Sequence, residues 1–229
     1  MNSTQSVSPT WANGQLSLCG FAFRGARALP HVGFERQVHG RTSVRVECDF
    51  HGNWPASPQE GDAIWTTSRG LPVAVRVADC VPILLWAPQT HAVAAVHAGW
   101  RGTAEDILGA TLSFARESLG VRPEETFAAI GPCISRDCFE VGTEVVHRLM
   151  ETGLTHADLR LQVGARGKPH VDLRTANRAL LVRAGVPEEQ IEDVGGCTWS
   201  EPERYESYRR DGATSGRMLA MIALAEGAS

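Results

Sequence analysis

The chain has 229 residues, of which 43% are hydrophobic and 21% charged, and its formal net charge is −4. This composition is typical of a globular protein with a sizeable core, and it excludes the basic surface of a nucleic-acid-binding protein. No run approaches the ~18 apolar residues of a membrane-spanning helix. The N-terminus lacks the apolar segment of a secretory signal, and the six cysteines form no Cys-x-x-Cys pair, so we expect a cytoplasmic protein.

Strands are predicted where apolar residues alternate or form short runs between turn residues. They fall at 43–47, 72–78, 81–86, 91–96 and 126–130. The runs at 81–86 and 91–96 are apolar on both faces and are separated by a turn containing Pro88, so they predict a β-hairpin inside a sheet.

Four helices are predicted from helical spacing and end signals. The first begins with Thr103 as N-cap and ends at Gly120, because Asp106 follows three residues after Thr103 as in a capping box. The others fall at 143–152, from Asp172 to Gly185, and at 215–226. Interleaved strands and helices predict an α/β (α+β) fold of mixed sheets layered with helices, with a flexible lead-in at 1–15 and a single domain at 16–229.

The predicted hairpin brings two reactive side chains together at its open end. A turn centred between positions 88 and 89 pairs residues whose numbers sum to 177, which places Cys80 of the ADC motif opposite His97 of HAGWRG. A thiolate and an imidazole at that distance can share a metal ion or act as nucleophile and base. His39, in Gln-Val-His-Gly before a strand, is a candidate third ligand, although the pattern alone fits a structural histidine as well.

Six segments carry a resemblance to a known family. In order they are QVHG, GDAIWTTSRGLPVAVRVADCVPILLW, VAAVHAGWRGT, IGPCISRDCFEVG, VDLRTANRALL and ESYRRDGATSGRMLAMIAL. Together they resemble the YfiH-type family, also called the laccase-domain, polyphenol oxidase or purine nucleoside phosphorylase family. The resemblance covers residues 37–224, and the ADC and HAGWRG motifs with their separation are its most specific part.

The resemblance implies a catalytic domain in which His39, Cys80 and His97 hold one zinc ion. Three protein ligands leave the fourth position open for water or substrate, as in catalytic zinc sites. The implied activity is phosphorolysis of adenosine, inosine, guanosine or methylthioadenosine to a base and a pentose 1-phosphate, together with deamination of adenosine. The implied partners are therefore purine nucleosides and phosphate, with no nucleic acid or membrane, and the chain is expected to be a monomer or small homo-oligomer.

Further residues are candidates for the same cleft. Asp79 can orient a ligand imidazole or cap a strand end, and Asp79 and Cys80 are the nearest candidates for a general acid. Arg101 lies before the helix predicted at Thr103, which makes it a candidate phosphate ligand or a surface arginine paired with an acidic neighbour. Arg209 and Arg210 can face the cleft from an exposed turn, and the loop at Cys133 is predicted to shape the pocket wall.

Other functions remain open for this set of residues. A multicopper oxidase needs about ten histidines with His-x-His pairs, whereas this chain has eight histidines and no such pair, although a single Cu²⁺ fits a His₂Cys set. Cys80 and His97 also fit a Cys–His amide hydrolase acting on peptidoglycan precursors. A zinc-stabilised binding module without catalysis is the non-enzymatic alternative.

The segment before QVHG is shorter than in relatives, which predicts a more open cleft and an altered substrate preference.

Overall fold

The computed structural model describes residues 6–26 and 29–226, which contain twelve strands and five α-helices. The strands are β1 Ser6–Val7, β2 Leu16–Ala22, β3 Ser43–Arg45, β4 Ala63–Thr66, β5 Val73–Val77, β6 Val81–Ala87, β7 Ala92–Ala98, β8 Phe127–Ile130, β9 Gln162–Val163, β10 Pro169–His170, β11 Ile191–Asp193 and β12 Met218–Leu224. The helices are α1 Trp100–Ala104, α2 Ile107–Leu119, α3 Thr143–Glu151, α4 Leu173–Arg183 and α5 Tyr208–Asp211.

A six-stranded mixed sheet forms the centre of the molecule, in the order β11-β8-β6-β7-β4-β3. The β6–β7 hairpin lies in its middle, with β8 and β4 on either side, and all residues of both hairpin strands are buried. This confirms the predicted interior hairpin. Apolar residues on both faces are stable there because each face packs against another layer.

Alternate residues of the central sheet face two different hydrophobic cores. Ile64, Leu84 and Val93 point towards a second, four-stranded sheet in the order β1-β2-β12-β5, whereas Trp65 and Ile83 point towards the helices. The molecule is therefore built in three layers, and the predicted α/β (α+β) fold is confirmed. Strands β9 and β10 form a small separate hairpin.

The helix predicted at 215–226 is wrong, because this segment forms strand β12. It pairs antiparallel with both β2 and β5 and is the third strand of the four-stranded sheet. Its sequence, MLAMIAL, is apolar throughout because both of its faces are covered. An unbroken apolar run of this length has no hydrophobic periodicity, so its sequence alone does not distinguish a buried strand from a buried helix.

The first predicted helix is divided into two. Thr103 lies inside α1 and does not cap a helix, so the predicted start at Thr103 is wrong. The chain breaks at Glu105–Asp106, where Asp106 adopts φ 54° and its side chain accepts a hydrogen bond from the Gly109 N–H to begin α2. The helices predicted at 143–152 and after Asp172 are confirmed by α3 and α4.

The start of α4 provides a test of helix capping in this fold. The Asp172 side chain accepts hydrogen bonds from the backbone N–H groups of Arg174 and Thr175. Because an N-cap aspartate is worth about 1 kcal/mol, we expect Asp172→Ala to lower the free energy of unfolding by about that amount in a urea titration. The matched control, Asp137→Ala, removes an exposed carboxylate from a surface ion pair and should change stability by less than about 0.5 kcal/mol. Equal effects of the two changes would contradict the capping role.

Part of the predicted lead-in at 1–15 is held by the fold. Strand β1 pairs with β2, and the Trp11 ring stacks on Trp86 with 5.9 Å between ring centroids. The rest of the lead-in, residues 1–5, lies outside the described residues.

Within the described ranges, every helix is too short or too polar to span a bilayer.

Candidate active site

The hairpin register differs from the predicted one by two residues. Pro82, not Cys80, lies opposite His97, because the loop between the two strands spans residues 88–91 and not 87–90. A displacement of two residues keeps side chains on the same face of a sheet. The Cys80 sulfur and the His97 ring therefore still meet at the open end of the hairpin.

His39 completes a cluster of three candidate ligands with Cys80 and His97. The nearest ligand atoms of the three side chains all lie within 4.8 Å of one another, and the two imidazole rings are 4.7 Å apart between centroids. His39 adopts the left-handed conformation, with φ 61°. This conformation is uncommon for a residue with a side chain, and it is held here by hydrogen bonds to Asp62.

Asp62 is the residue that organises the cluster. It is fully buried just before β4, and its Oδ1 accepts hydrogen bonds from the His39 N–H at 3.0 Å and from His97 Nδ1 at 2.8 Å. Its Oδ2 accepts from the N–H groups of Gly40 and Val38 at 2.8 and 3.3 Å. One carboxylate therefore fixes both histidines and leaves His97 Nε2 free to bind a metal.

Sequence reasoning missed Asp62 and offered Asp79 as a candidate either for the orienting role or for a strand-end cap. The available signal was a carboxylate directly before the wholly buried strand β4, where an uncompensated charge would be costly. Asp79 instead joins two other segments: its Oδ1 accepts from the Thr198 hydroxyl and its Oδ2 from the Arg209 N–H, both at 2.6 Å.

The cluster is strongly polarised. Burial alone would raise the pKa of Cys80, but the charge of His97 and hydrogen bonds from His39 and His97 lower it to about 6. Burial would lower the pKa of His97, but the Cys80 thiolate and Asp62 raise it to about 9. Burial likewise opposes ionisation of Asp62, yet hydrogen bonds from His97 and the backbone lower its pKa. These shifts favour a Cys80 thiolate beside a His97 imidazolium, and a metal ion bound at His97 Nε2 would take the place of the Nε2 proton.

The donor set fits a metal ion open to solvent on one side. Two imidazoles and a thiolate suit zinc, and they also suit copper. His97 is buried, Cys80 is half-buried and His39 is exposed, so exposure increases across the cluster. Within the described residues the cluster has three members, which leaves a fourth coordination position for a small molecule.

The cluster lines a cavity of about 630 Å³, a volume typical of small-molecule sites. Its walls combine apolar surface, including two aromatic rings, with four arginines and two carboxylates. The lining residues are Glu35, Arg36, Gln37, His39, Arg76, Ala78, Asp79, Cys80, His97, Ile134, Phe139, Tyr208, Arg209 and Arg217.

Four residues were predicted to bind substrate. Within the part of the chain that the structure describes, Arg209 is the one of the four that lines the cavity. The Arg101 guanidinium lies over the Trp100 ring at 4.5 Å, and Arg101 is inside α1, not before a helix. Arg210 is held by Asp211 and by the carbonyls of Thr198 and Tyr205. Cys133 is fully buried, and burial raises its pKa to about 12.

Gly99 allows the ligands to approach the end of β7. A Cβ atom at this position would lie 3.0 Å from Cys80 Sγ and 3.0 Å from His39 Cδ2. We expect Gly99→Ala to displace both candidate ligands and weaken metal binding roughly 3–10-fold, since overpacking a tight site costs about 1 kcal/mol or more. Competition with a chromophoric chelator measures the affinity. Gly14→Ala, at a position with open space around it, is the control, and an unchanged affinity in Gly99→Ala would contradict the contact.

The three-layer fold thus carries a His–Cys–His cluster that could hold one metal ion at the open end of its central hairpin. The family model described as multi-copper polyphenol oxidoreductase laccase matches residues 23–225. The chain belongs to this family, as the resemblance in the sequence predicts.

Named relatives share much of the sequence, and a solved structure shares the fold. The chain is 43% identical over 162 residues to adenosine deaminase RL5 from an unknown prokaryotic organism, which is 70% of this chain and 61% of that protein. It is 40% identical over 188 residues to a purine nucleoside phosphorylase of Deinococcus radiodurans, covering 82% and 68% of the two chains. The crystal structure of Bacillus licheniformis hypothetical protein YfiH superposes with a TM-score of 0.84 at 25% identity, covering 97% of each chain. The chain thus spans about three fifths of the length of the RL5 protein.

Proposed function

We propose that this protein is a zinc-dependent purine nucleoside phosphorylase that also deaminates adenosine. The observation that carries the proposal is a His39–Cys80–His97 cluster opening into a cavity with aromatic and arginine side chains. The names of the RL5 and Deinococcus relatives supply the two activities. Its six free thiols fit a reducing cytoplasm.

Each part of the cavity has a task in this reaction. Phe139 and Tyr208 offer ring surfaces for a purine, and Arg209 and Arg217 offer guanidinium groups for phosphate. Both arginines are partly restrained, because Arg209 Nη1 donates to the Glu140 carbonyl and Arg217 Nη1 to the Ser215 carbonyl. Restrained donors position phosphate against the sugar at little entropic cost.

The metal ligands perform the remaining task. His39, Cys80 and His97 would hold the zinc ion, and Asp62 would keep His97 in the tautomer that presents Nε2. Zinc, when bound, would act as a Lewis acid and lower the pKa of water. Cys80 is a thiolate at neutral pH and both Asp79 oxygens accept hydrogen bonds, so we assign these residues ligand and positioning roles and not the role of general acid.

The first experiment measures base release from adenosine by the zinc-loaded full chain, with and without phosphate. Adenine that appears only with phosphate, together with a pentose 1-phosphate, supports phosphorolysis. Inosine that appears without phosphate supports deamination. No turnover of any purine nucleoside would overturn the proposal.

The phosphate position is tested by a pair of arginine substitutions. We expect Arg209→Met to raise the KM for phosphate about tenfold, because a charge-assisted hydrogen bond is worth about 1.5–3 kcal/mol. The backbone contact from Arg209 N to Asp79 survives this change. Arg101→Met, outside the cavity wall, should leave this KM unchanged, and the reverse pattern would place phosphate beside α1.

The thiolate–imidazolium pair also supports a second candidate, a Cys–His amide hydrolase with Cys80 as nucleophile. Metal removal separates the two functions, because a thiolate nucleophile must be free of metal to attack a carbonyl. Under the zinc proposal, chelation abolishes nucleoside turnover and added zinc restores it. Hydrolysis of a peptidoglycan-derived amide that increases on chelation would favour the second candidate.

A further inference from the structure

A pair of cysteines, Cys138 and Cys197, lies outside both the cavity lining and the cluster of candidate metal ligands. The Sγ atoms of Cys138 and Cys197 are 3.9 Å apart, although the two residues are 59 positions apart in the chain. Cys138 ends a 3₁₀ turn after β8, and Cys197 lies in the loop after β11. A disulfide requires about 2.05 Å between sulfurs, so the pair needs a closer approach of roughly 2 Å to bond.

The surroundings of Cys197 activate its sulfur. Ser135 Oγ lies 3.1 Å from Cys197 Sγ, and the Ser135 N–H donates to it at 3.4 Å. Burial would raise the pKa of this thiol, but hydrogen bonds from Ser135 and Ser200 lower it to about 7. Burial raises the pKa of Cys138. The pair therefore combines a thiol that is partly ionised at neutral pH with a neighbouring protonated thiol, the arrangement of redox-active cysteines.

Both cysteines are directly followed by residues that build the candidate active site. Phe139, after Cys138, lines the cavity. Thr198, after Cys197, donates its hydroxyl to Asp79, which precedes the ligand Cys80. A bond between the two sulfurs would join the two loops that carry these contacts.

We propose that Cys138 and Cys197 form a reversible disulfide that is a site of oxidative modification coupled to the cavity wall. With hydrogen peroxide as oxidant, the Cys197 thiolate attacks one peroxide oxygen, the O–O bond breaks, and a sulfenic acid and hydroxide form. The Cys138 sulfur then attacks the Cys197 sulfur and displaces hydroxide, which leaves as water with the thiol proton. Two thiols lose two electrons and two protons in total, and peroxide is reduced to two waters. An excess of a dithiol reverses the reaction by exchange.

Peptide mapping of the zinc-loaded full chain tests the bond directly. Trypsin places Cys138 in the peptide 137–148 and Cys197 in the peptide 184–204, and each peptide contains one cysteine. After treatment with stoichiometric peroxide, we expect these two peptides joined and two hydrogen atoms lighter than their sum, and separated again by dithiothreitol. Random pairing, or oxidation confined to other cysteines, would overturn the proposal.

Two variants and a control separate the roles of the two sulfurs. Cys138→Ser should stop at a sulfenic acid on Cys197 that dimedone traps, and Cys197→Ser should leave Cys138 unoxidised by the same dose. Cys48→Ser, which removes a half-buried thiol elsewhere, should form the bond as the parent does. If Cys138→Ser fails to fold, Cys138→Ala replaces it.

The coupling to the cavity has its own measurement, and this part rests on the proposed function. We expect oxidation to lower kcat/KM for adenosine at least threefold, dithiothreitol to restore it, and Cys138→Ser to lose this response. A disulfide that forms without any change in kcat/KM would overturn the coupling. Because the mapped bond does not depend on turnover, failure of the redox site and failure of the proposed function are distinguishable.

Discussion

Cys80→Ala is expected to lose both the bound metal and the release of base from adenosine. The thiolate is one of three candidate ligands, and His39 is exposed to solvent, so two imidazoles would hold the ion weakly. Even the loss of a residue that only supports a ligand typically costs 10–100-fold in metal affinity or activity. We therefore expect kcat/KM to fall at least ~1,000-fold, with the zinc content after dialysis falling to well below one ion per chain.

Cys48→Ala is the matched control for this change. Cys48 is also a free, half-buried cysteine, but it lies outside the cluster and the cavity wall. It should retain zinc and activity at the level of the parent. A Cys80→Ala protein that folds, binds zinc and still releases base would place the reaction elsewhere in the molecule.

The hairpin was predictable from sequence because two uninterrupted apolar runs and a proline turn leave few other arrangements. Its register was not predictable, since the loop lies one position later in the chain than the apolar runs indicate, with Ala87 paired to Ala92, and this moves Pro82 opposite His97. The ligand pair survived this error because the displacement is an even number of residues. An odd displacement would have turned Cys80 to the opposite face.

The errors in the prediction share a physical cause, which is that tertiary contacts decided the local structure. Strand β12 has a sequence compatible with a helix, but it is placed between β2 and β5 and is covered on both faces. The break before α2 depends on the left-handed conformation of Asp106, which the local sequence pattern does not predict. Confirmed helices such as α4 carry both an amphipathic pattern and a good N-cap, so local and tertiary preferences agree there.

The candidate site shows the same contrast between features set by local sequence and features set by tertiary contacts. The three candidate ligands are implied by the resemblance of their motifs to the family, whereas the wall of the cavity comes from loops that are distant in the chain. Phe139 and Arg209 are 70 residues apart, yet the Arg209 guanidinium lies 5.1 Å from the Phe139 ring. Spacing arguments work within one hairpin, but they do not reach contacts of this kind.

Asp62→Asn is expected to weaken zinc binding 10–100-fold while the protein still folds. The carboxylate accepts hydrogen bonds from His97 Nδ1 and from three backbone N–H groups. An asparagine oxygen can still accept from His97 and His39, but its amide group would face the N–H groups of Val38 and Gly40, which then lose their acceptor. Unpaired buried donors cost about 1–3 kcal/mol each, so we expect unfolding at a lower urea concentration as well. The loss of negative charge also makes His97 a poorer ligand.

The comparison of Asp62→Asn with Asp79→Asn decides which carboxylate positions the metal ligand. Asp79 adjoins Cys80 in the chain, but its oxygens bind Thr198 and the Arg209 backbone and not an imidazole. We therefore expect Asp79→Asn to change zinc affinity less than about threefold, while its effect falls on the KM for substrate through the loops it joins. Chelator competition for zinc and steady-state kinetics on the same two proteins separate these effects. If Asp79→Asn weakens zinc binding as much as Asp62→Asn, then the hydrogen bond to His97 Nδ1 does not distinguish the carboxylate that positions the metal ligand.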